Sequence, residues 1–181
     1  MRRVVHISGS PGSGKTTLGQ KLSAAGVEII DTDGLISETE GQLLYKLRDS
    51  GQHKAALKQW KEMFTQNLHK AYANVSATTE TVIFTGILNH FSANGSILEF
   101  PFTAEKYFID LPEEQLFRQF YGRYGAEMKD DTNFWQGVAQ GNWDIPSSKD
   151  YKTMCDEERA WHLIHAYEPL SPSEIVLRIK K

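Results

Sequence analysis

The spacing of hydrophobic residues in the N-terminal part of the chain changes at one short glycine-rich segment. Residues 4–7, Val-Val-His-Ile, form a β-branched run before Gly, Ser and Pro, which predicts a buried strand that ends in a turn. From residue 15 to 25, apolar residues recur at spacings of four and three, which predicts a helix that ends at Gly26. Residues 27–30 then predict a second strand. Strand, helix and strand within about 30 residues are typical of a βαβ unit and therefore of a parallel sheet.

The same alternation continues towards the C-terminus, where a long helical stripe places Trp60 and Phe64 in the core. The pattern predicts, in order, a helical piece around 43–47, a helix over 57–75, strands at 81–84 and 106–110, a helix from Pro112 to about Tyr124, a helix from Asp156 with Trp161, Ile164 and Tyr167 inward, and a last strand at Ile175–Ile179. We therefore predict a single domain over residues 1–181 with an α/β fold, built on a doubly wound, mostly parallel sheet of five strands.

Residues 125–154 interrupt this alternation. No spacing persists there, and the segment is rich in Asp, Asn, Gly, Ser and Lys, with Trp135 and Trp143 embedded in it. Loops longer than about 15 residues are usually functional or disordered. We interpret the segment as an insertion in the α/β domain.

Composition narrows the class of protein. Hydrophobic residues make up 40% and charged residues 24%, both ordinary for a globular protein. A net charge of −3 argues against a nucleic-acid partner, so we expect none. The single cysteine, Cys155, forms no internal disulfide, and no apolar run approaches the roughly 20 residues of a membrane span. We expect a cytoplasmic monomer or homodimer.

Residues 9–16, Gly-Ser-Pro-Gly-Ser-Gly-Lys-Thr, match the pattern G-x-x-x-x-G-K-[ST] between a predicted strand and a predicted helix. In such a P-loop the backbone N–H groups and the positive end of the helix surround an anion. Lys15 is suited to the β- and γ-phosphates, and the Thr16 hydroxyl is suited to Mg²⁺. The sequence therefore predicts a P-loop NTPase fold that binds ATP and Mg²⁺.

Extended to Thr17, this loop resembles the P-loop of adenylate kinase and its relatives among nucleotide and small-metabolite kinases. The resemblance extends the nucleotide-binding set to Gly9, Ser10, Pro11, Gly12, Ser13, Gly14, Lys15, Thr16 and Thr17. It also implies that residues 34–75 form the acceptor side of the domain and that residues 125–154 form a lid. We expect the lid to close over bound nucleotide and exclude water.

The acidic segment Asp31-Thr32-Asp33, at the end of the second predicted strand, resembles a motif of shikimate, gluconate and dephospho-coenzyme A kinases. The resemblance implies that Asp31 supports magnesium and that Asp33 touches the acceptor. A carboxylate that accepts a hydroxyl proton assists phosphoryl transfer to an alcohol, which favours a hydroxyl acceptor. The alternative role of Asp33 is to cap the helix that follows.

Arginines flank the predicted lid. Residues 116–123 resemble the adenylate-kinase helix that enters the lid, which implies that Arg118 flanks adenine and Arg123 binds phosphate. Residues 158–161 are similar to the helix that leaves the lid, which implies that Arg159 faces the transferred phosphoryl group. With Lys15 and Asp33, the predicted catalytic residues thus include Arg123 and Arg159. The alternative for each arginine is a solvated helix surface.

One segment departs from the nucleotide-kinase pattern. Kinases that act on nucleoside monophosphates usually carry an acidic residue and then an arginine after the third strand, whereas residues 85–90 read Thr-Gly-Ile-Leu-Asn-His. Arg48 is a candidate replacement, or a solvated partner of Asp49. We predict an ATP- and Mg²⁺-dependent kinase acting on a nucleotide, nucleoside or other small hydroxyl-bearing metabolite. The alternatives are a nucleotide-binding regulator and an NTPase without an acceptor.

Overall fold

A five-stranded sheet forms the centre of the fold. The computed structural model describes residues 2–24, 26–86, 98–126 and 145–180. Over these residues the sheet is parallel, has the strand order β2-β3-β1-β4-β5 and carries helices on both sides, which confirms the predicted fold class. The strands are β1 (Arg3–Ser8), β2 (Glu28–Asp31), β3 (Thr81–Thr85), β4 (Glu105–Ile109) and β5 (Glu168–Leu170).

Several of the described helices begin where a serine side chain accepts a hydrogen bond from one of their first N–H groups. Ser37 and Ser171 each accept a hydrogen bond from a glutamate N–H three residues on, and that glutamate bonds back in turn. The α-helices of the described residues are α1 (Lys15–Ser23), α2 (Glu38–Asp49), α3 (His53–Asn74), α4 (Glu113–Ala126), α5 (Ser148–Ile164) and α6 (Pro172–Ile179). None of these described helices is long and apolar enough to cross a membrane.

The chain divides into two compact units, of which the first is Met1–Ser8 with Thr16–Lys106. Its core packs α2 and α3 against strands β1 and β3, and Trp60 and Phe64 are buried as the sequence predicts. Thr85 lies opposite Ile7 of β1 and also opposite Asp31 of β2. The carboxyl ends of three parallel strands therefore meet at one edge of this unit.

The second unit is Gly9–Lys15 with Tyr107–Lys181. It contains the glycine-rich loop, β5, most of β4, and helices α4, α5 and α6. Aromatic rings fill the space between α4 and α5, where Phe120 stacks on Tyr151 with ring centroids 4.0 Å apart. Both helices are therefore held by a shared aromatic core.

The predicted last strand at Ile175–Ile179 is wrong, because this segment is part of α6 and the fifth strand is Glu168–Leu170. Ser171 caps the helix and Pro172 occupies its first turn, where a missing N–H and a fixed φ favour a helix. Ile175 and Ile179, four residues apart, are both buried on one helical face.

The helix predicted from Asp156 begins eight residues earlier, at Ser148. Ser147 accepts a hydrogen bond from Asp150 N, which is the N-terminal signal that the composition of the segment conceals. The predicted lid thus overlaps the start of α5, and residues 127–144, with Trp135 and Trp143, lie outside the described residues. Ile164 was expected to point inward but is 80% exposed, whereas His162 is buried.

Candidate active site

The glycine-rich loop connects β1, which ends at Ser8, to α1, which begins at Lys15. The loop turns at Ser13, whose N–H donates to Ser10 O at 3.0 Å. Gly12 has a φ of +83°, and a Cβ there would lie 3.0 Å from the Cβ of Phe120. Glycine is therefore required at this position both by backbone conformation and by the close approach of α4.

Lys15 lies along the loop that precedes it. Its Nζ donates to Gly9 O at 2.6 Å and to Ser10 O at 3.1 Å, which holds the ammonium group at the loop. Thr16 and Thr17 follow in the first turn of α1 with exposed side chains. The first N–H groups of a helix have no acceptor within the helix, so this end of α1 favours an anion.

Helix α5 also contacts the glycine-rich loop. The Tyr151 hydroxyl donates to Pro11 O at 2.6 Å. Ser10 also lies close to Cys155 and Glu158, one and two turns further along α5, and it lowers the pKa of both side chains against the effect of burial. The sequence reasoning missed these contacts, because only the turn spacing of Tyr151, Cys155 and Glu158 marks them as one helical face.

Glu158 places a carboxyl group in a buried position beside the loop. It is 5% exposed, and its Oε2 has no hydrogen-bond partner among the described residues. Burial raises the pKa of Glu158 to about 7, against the opposing effects of Ser10 and Lys15. His162 lies one turn further along α5, and its Nδ1–H donates to Glu158 O at 2.6 Å. Burial disfavours the charged form of this group too, which lowers the pKa of its imidazole to about 4. Near neutral pH the His162 imidazole is therefore uncharged, and burial favours the protonated form of Glu158.

Arg159 is held at the end of β4 by two hydrogen bonds to Asp110, of 3.0 and 3.1 Å. Arg159, Asp110 and Ser10 line one cavity of about 150 Å³. The structure thus brings one predicted lid arginine to the glycine-rich loop.

Arg118 and Arg123 are both exposed on α4, but on different sides of it. At about 100° per residue, Arg123 lies about 60° around the helix from Phe120, which meets Gly12, while Arg118 lies about 160° away. The helix therefore turns Arg123 towards the loop side and Arg118 away from it. Their predicted roles remain predictions.

The acidic segment follows β2 in the first unit. Asp31 Oδ1 accepts a hydrogen bond from Asp33 N at 3.0 Å, so Asp31 caps the short 3₁₀ turn Thr32–Gly34. The Thr32 hydroxyl donates to Thr85 O at 3.1 Å and thereby fixes the segment to β3. The capping role considered for Asp33 thus belongs to Asp31.

Gly86 lies in the segment that departs from the nucleotide-kinase pattern after the third strand. Its φ is +137°, and a Cβ there would lie 2.0 Å from the Thr32 hydroxyl oxygen. No side chain fits at this position, because Thr32 and Asp33 occupy the space. Residues 87–90 lie outside the described residues.

Asp33 forms part of the wall of a cavity of about 490 Å³ within the first unit. This volume is in the range of small-molecule sites. Its lining comes from the acidic segment, one face of α2 and two rings of α3: Thr32, Asp33, Ile36, Ser37, Glu38, Gly41, Gln42, Tyr45, Trp60 and Phe64. Arg48, the candidate replacement arginine, bonds to Asp49 at 2.9 Å and stacks over the Tyr45 ring at 4.8 Å.

The oxygen ligands predicted for magnesium fit the chemistry of that ion. Thr16 supplies a hydroxyl and Asp31 a carboxylate, and both side chains are exposed in the same unit. Among the described residues no three His, Cys, Asp or Glu side chains gather to hold a metal. Mg²⁺ in nucleotide sites is held by one or two protein oxygens together with phosphates and water, so a protein cage is not required.

Comparison with known proteins is consistent with this geometry. A shikimate kinase from Bacteroides thetaiotaomicron has a similar fold, with a TM-score of 0.53 at 17% identity, and the match covers 94% of this chain and 86% of that one. A shikimate kinase from Acinetobacter baumannii (TM-score 0.42, 14% identity, 93% and 97% covered) and a gluconokinase from Sinorhizobium meliloti 1021 (0.39, 13%, 84% and 71%) are more distant in shape.

A search of curated proteins finds no match. The family model AAA_18, described as an AAA domain, matches residues 5–138, which is more than half of the chain and includes the whole glycine-rich loop. The predicted P-loop kinase fold is confirmed, and the chain belongs to the AAA domain family.

Proposed function

We propose that this protein is a kinase that transfers a phosphoryl group from ATP to a hydroxyl group of a small molecule, with Mg²⁺. The observation that carries the proposal is the position of Asp33 in the wall of a 490 Å³ cavity, in a chain that also holds a complete P-loop. A plain NTPase needs no second small-molecule cavity. A kinase with a hydroxyl acceptor needs a cavity that binds the acceptor and benefits from a carboxylate that accepts the hydroxyl proton.

The chain's own residues support three steps. The loop N–H groups and Lys15 bind the phosphates, because the loop is curled and Lys15 is held against it. Arg159 would stabilise charge that develops on the transferred group, a role supported by its position in one cavity with Ser10. Asp33 orients the acceptor hydroxyl and accepts its proton. Bound Mg²⁺, with Thr16 and Asp31 as its protein ligands, would neutralise phosphate charge.

The test is to incubate the protein with labelled ATP and Mg²⁺ and with nucleosides, nucleoside monophosphates, sugar acids and dephospho-coenzyme A, separately. Products are scored by mass. A phosphorylated acceptor is the expected result. Release of inorganic phosphate alone would identify an NTPase, and tight ATP binding without either product would identify a regulator.

Two lysine variants make the assay specific to the P-loop. Lys15→Ala should lower kcat by roughly 10²- to 10³-fold, the range seen when one donor to a developing charge is removed. Lys21→Ala lies on the same helix with an exposed side chain and should leave kcat unchanged. Full activity in Lys15→Ala would contradict the proposal.

A further inference from the structure

The charge of the 490 Å³ cavity indicates what kind of acceptor it takes. Among the described residues that line it there is no lysine, arginine or histidine, whereas Asp33 and Glu38 are both acidic. A carboxylate or phosphate in this cavity would face like charges and would lose hydration without gaining an opposite charge. The cavity therefore disfavours an anionic acceptor.

Arg48 does not alter this balance. It lies on α2, but it is not part of the lining, and its guanidinium group is bound to Asp49 and stacked over the Tyr45 ring. A planar guanidinium engaged on one edge and one face has fewer donors for a second anion. Its positive charge is also offset by the adjacent carboxylate.

Aromatic rings supply the apolar part of the same cavity. Tyr45 of α2 contributes a ring that is 41% exposed, whereas Trp60 and Phe64 of α3 are almost fully buried, at 2% and 5% exposed, and stack on each other with their centroids 5.2 Å apart. Rings of this kind bind flat ring systems and also attract cations through their faces. Gln42 adds a neutral side-chain amide that matches amides, ring nitrogens and hydroxyls.

We infer that the acceptor is an aromatic or heteroaromatic ring compound that carries a hydroxyl group and is neutral or cationic, of which a nucleoside is one example. This inference rests on the proposed function, because the hydroxyl is assigned from the role of Asp33. The ring would lie against Tyr45, and the hydroxyl would face Asp33. In the transfer step the acceptor oxygen forms a bond to the γ-phosphorus of ATP, the bond to the β–γ bridging oxygen breaks, ADP leaves, and the hydroxyl proton passes to Asp33.

Binding and turnover are measured separately so that the two proposals can fail separately. Adenosine, uridine and thymidine are compared with shikimate, gluconate and AMP, by ligand-observed NMR without ATP and by product mass with ATP. The nucleosides should bind and react at least about tenfold better, the ratio expected from one unpaired charge. Nucleoside binding without turnover would overturn the proposed function alone. Preference for the anions, or no binding of any compound, would overturn this inference.

Adding a positive charge to the cavity gives a second test, which has a matched control outside the cavity. Gln42→Lys places an ammonium group in the lining at an exposed position, and it should improve the binding of shikimate and gluconate by about tenfold. Leu43→Lys adds the same charge one residue along α2, outside the lining, and should change nothing. Equal effects of both variants would show that net charge, not the cavity, controls binding.

Discussion

Arg159 donates two hydrogen bonds to the Asp110 carboxylate, from Nε to Oδ1 at 3.0 Å and from Nη2 to Oδ2 at 3.1 Å. The pair joins α5 to the end of β4 within the second unit. A planar fork on a carboxylate fixes the orientation of the guanidinium group as well as its position. Asp110 therefore orients Arg159, which lines the cavity of about 150 Å³ that also contains Ser10.

The first prediction follows from this pair. Asp110→Asn should lower kcat by about tenfold or more, because small displacements of an aligned group are costly, while the KM for ATP stays within about twofold. Stability should fall by less than about 1 kcal/mol, since both partners are more than a third exposed. Steady-state kinetics with the preferred acceptor and urea unfolding provide the two measurements.

Arg178 and Glu168 form a control pair in the same unit, with a distance of 2.9 Å and similar exposure. Glu168→Gln should leave both kinetics and stability unchanged within error. An equal loss of kcat in both variants would show that the Arg159 pair has no particular role.

The second prediction concerns the hydrogen bond from the Tyr151 hydroxyl to Pro11 O. Tyr151→Phe leaves the aromatic core intact but removes the donor to a loop carbonyl, at a cost of about 1 kcal/mol in unfolding free energy. ATP affinity should also weaken, because the loop is less well held. Titration with ATP and urea unfolding would measure both effects.

Tyr121→Phe provides the comparison, because the Tyr121 hydroxyl donates to Pro146 O at 2.8 Å, away from the loop. It should lose a similar amount of stability without weakening ATP binding. Identical ATP affinities in the two variants would count against bracing of the loop by α5.

The third prediction is a pH dependence in which two groups oppose each other. The raised pKa of Glu158, about 7, gives stability that is full below its unfolded value near 4.5 and is lost as pH rises through 7. The lowered pKa of His162, about 4, gives stability that is full above 6.5 and is lost as pH falls through 4. Each shift corresponds to something of the order of 3 kcal/mol. From pH 4.5 to 6.5 the two contributions largely cancel.

Single variants should separate the two contributions. Glu158→Gln leaves the His162 dependence, so stability should rise with pH from 4.5 to 6.5. His162→Phe leaves the Glu158 dependence, so stability should fall over the same range. Chemical unfolding at half-unit pH steps would measure the slopes, and equal slopes in both variants would contradict the assignment.

The fourth prediction concerns Gly86. Gly86→Ala should destabilise the protein by about 2–4 kcal/mol and weaken acceptor binding, because its Cβ would collide with Thr32 in a backbone conformation that favours glycine. Gly122→Ala is the control, since a Cβ there meets no atom within 4 Å on a helical backbone. It should stabilise the protein by about 0.5–1 kcal/mol. Thermal unfolding would distinguish the two, and a tolerated Gly86→Ala would require Thr32 to move.

The parts of the fold that were predictable from sequence are those set by short-range patterns. Residues 4–30 have period changes, a glycine stop and a motif in strand-to-helix context, and all of these describe local geometry. The Ile175–Ile179 prediction failed because a five-residue apolar run suits both a strand and a helix. The signal that decides it is the capping box at Ser171 with Pro172, which lies before the run.

The site was predictable only where it is contiguous in sequence. Lys15, Asp31 and Asp33 stand beside strands whose ends could be located, and parallel strands place their ends at one edge. Tyr151 and Glu158 reach the loop across about 140 residues, and no local pattern reports that distance. The need for glycine at position 86 was not predictable either, because it depends on Thr32, which is distant in sequence and occupies the space beside Gly86.

Phe120 of α4 meets Gly12, and Tyr151 of α5 holds Pro11, so two adjacent residues of the loop are each attached to a different helix. In the chain, α4 and α5 are the elements on either side of residues 127–147. The helices before and after that segment therefore each contact the glycine-rich loop. Cutting the backbone within the segment would leave both ends fastened to the loop, so a nicked protein would keep these two attachments.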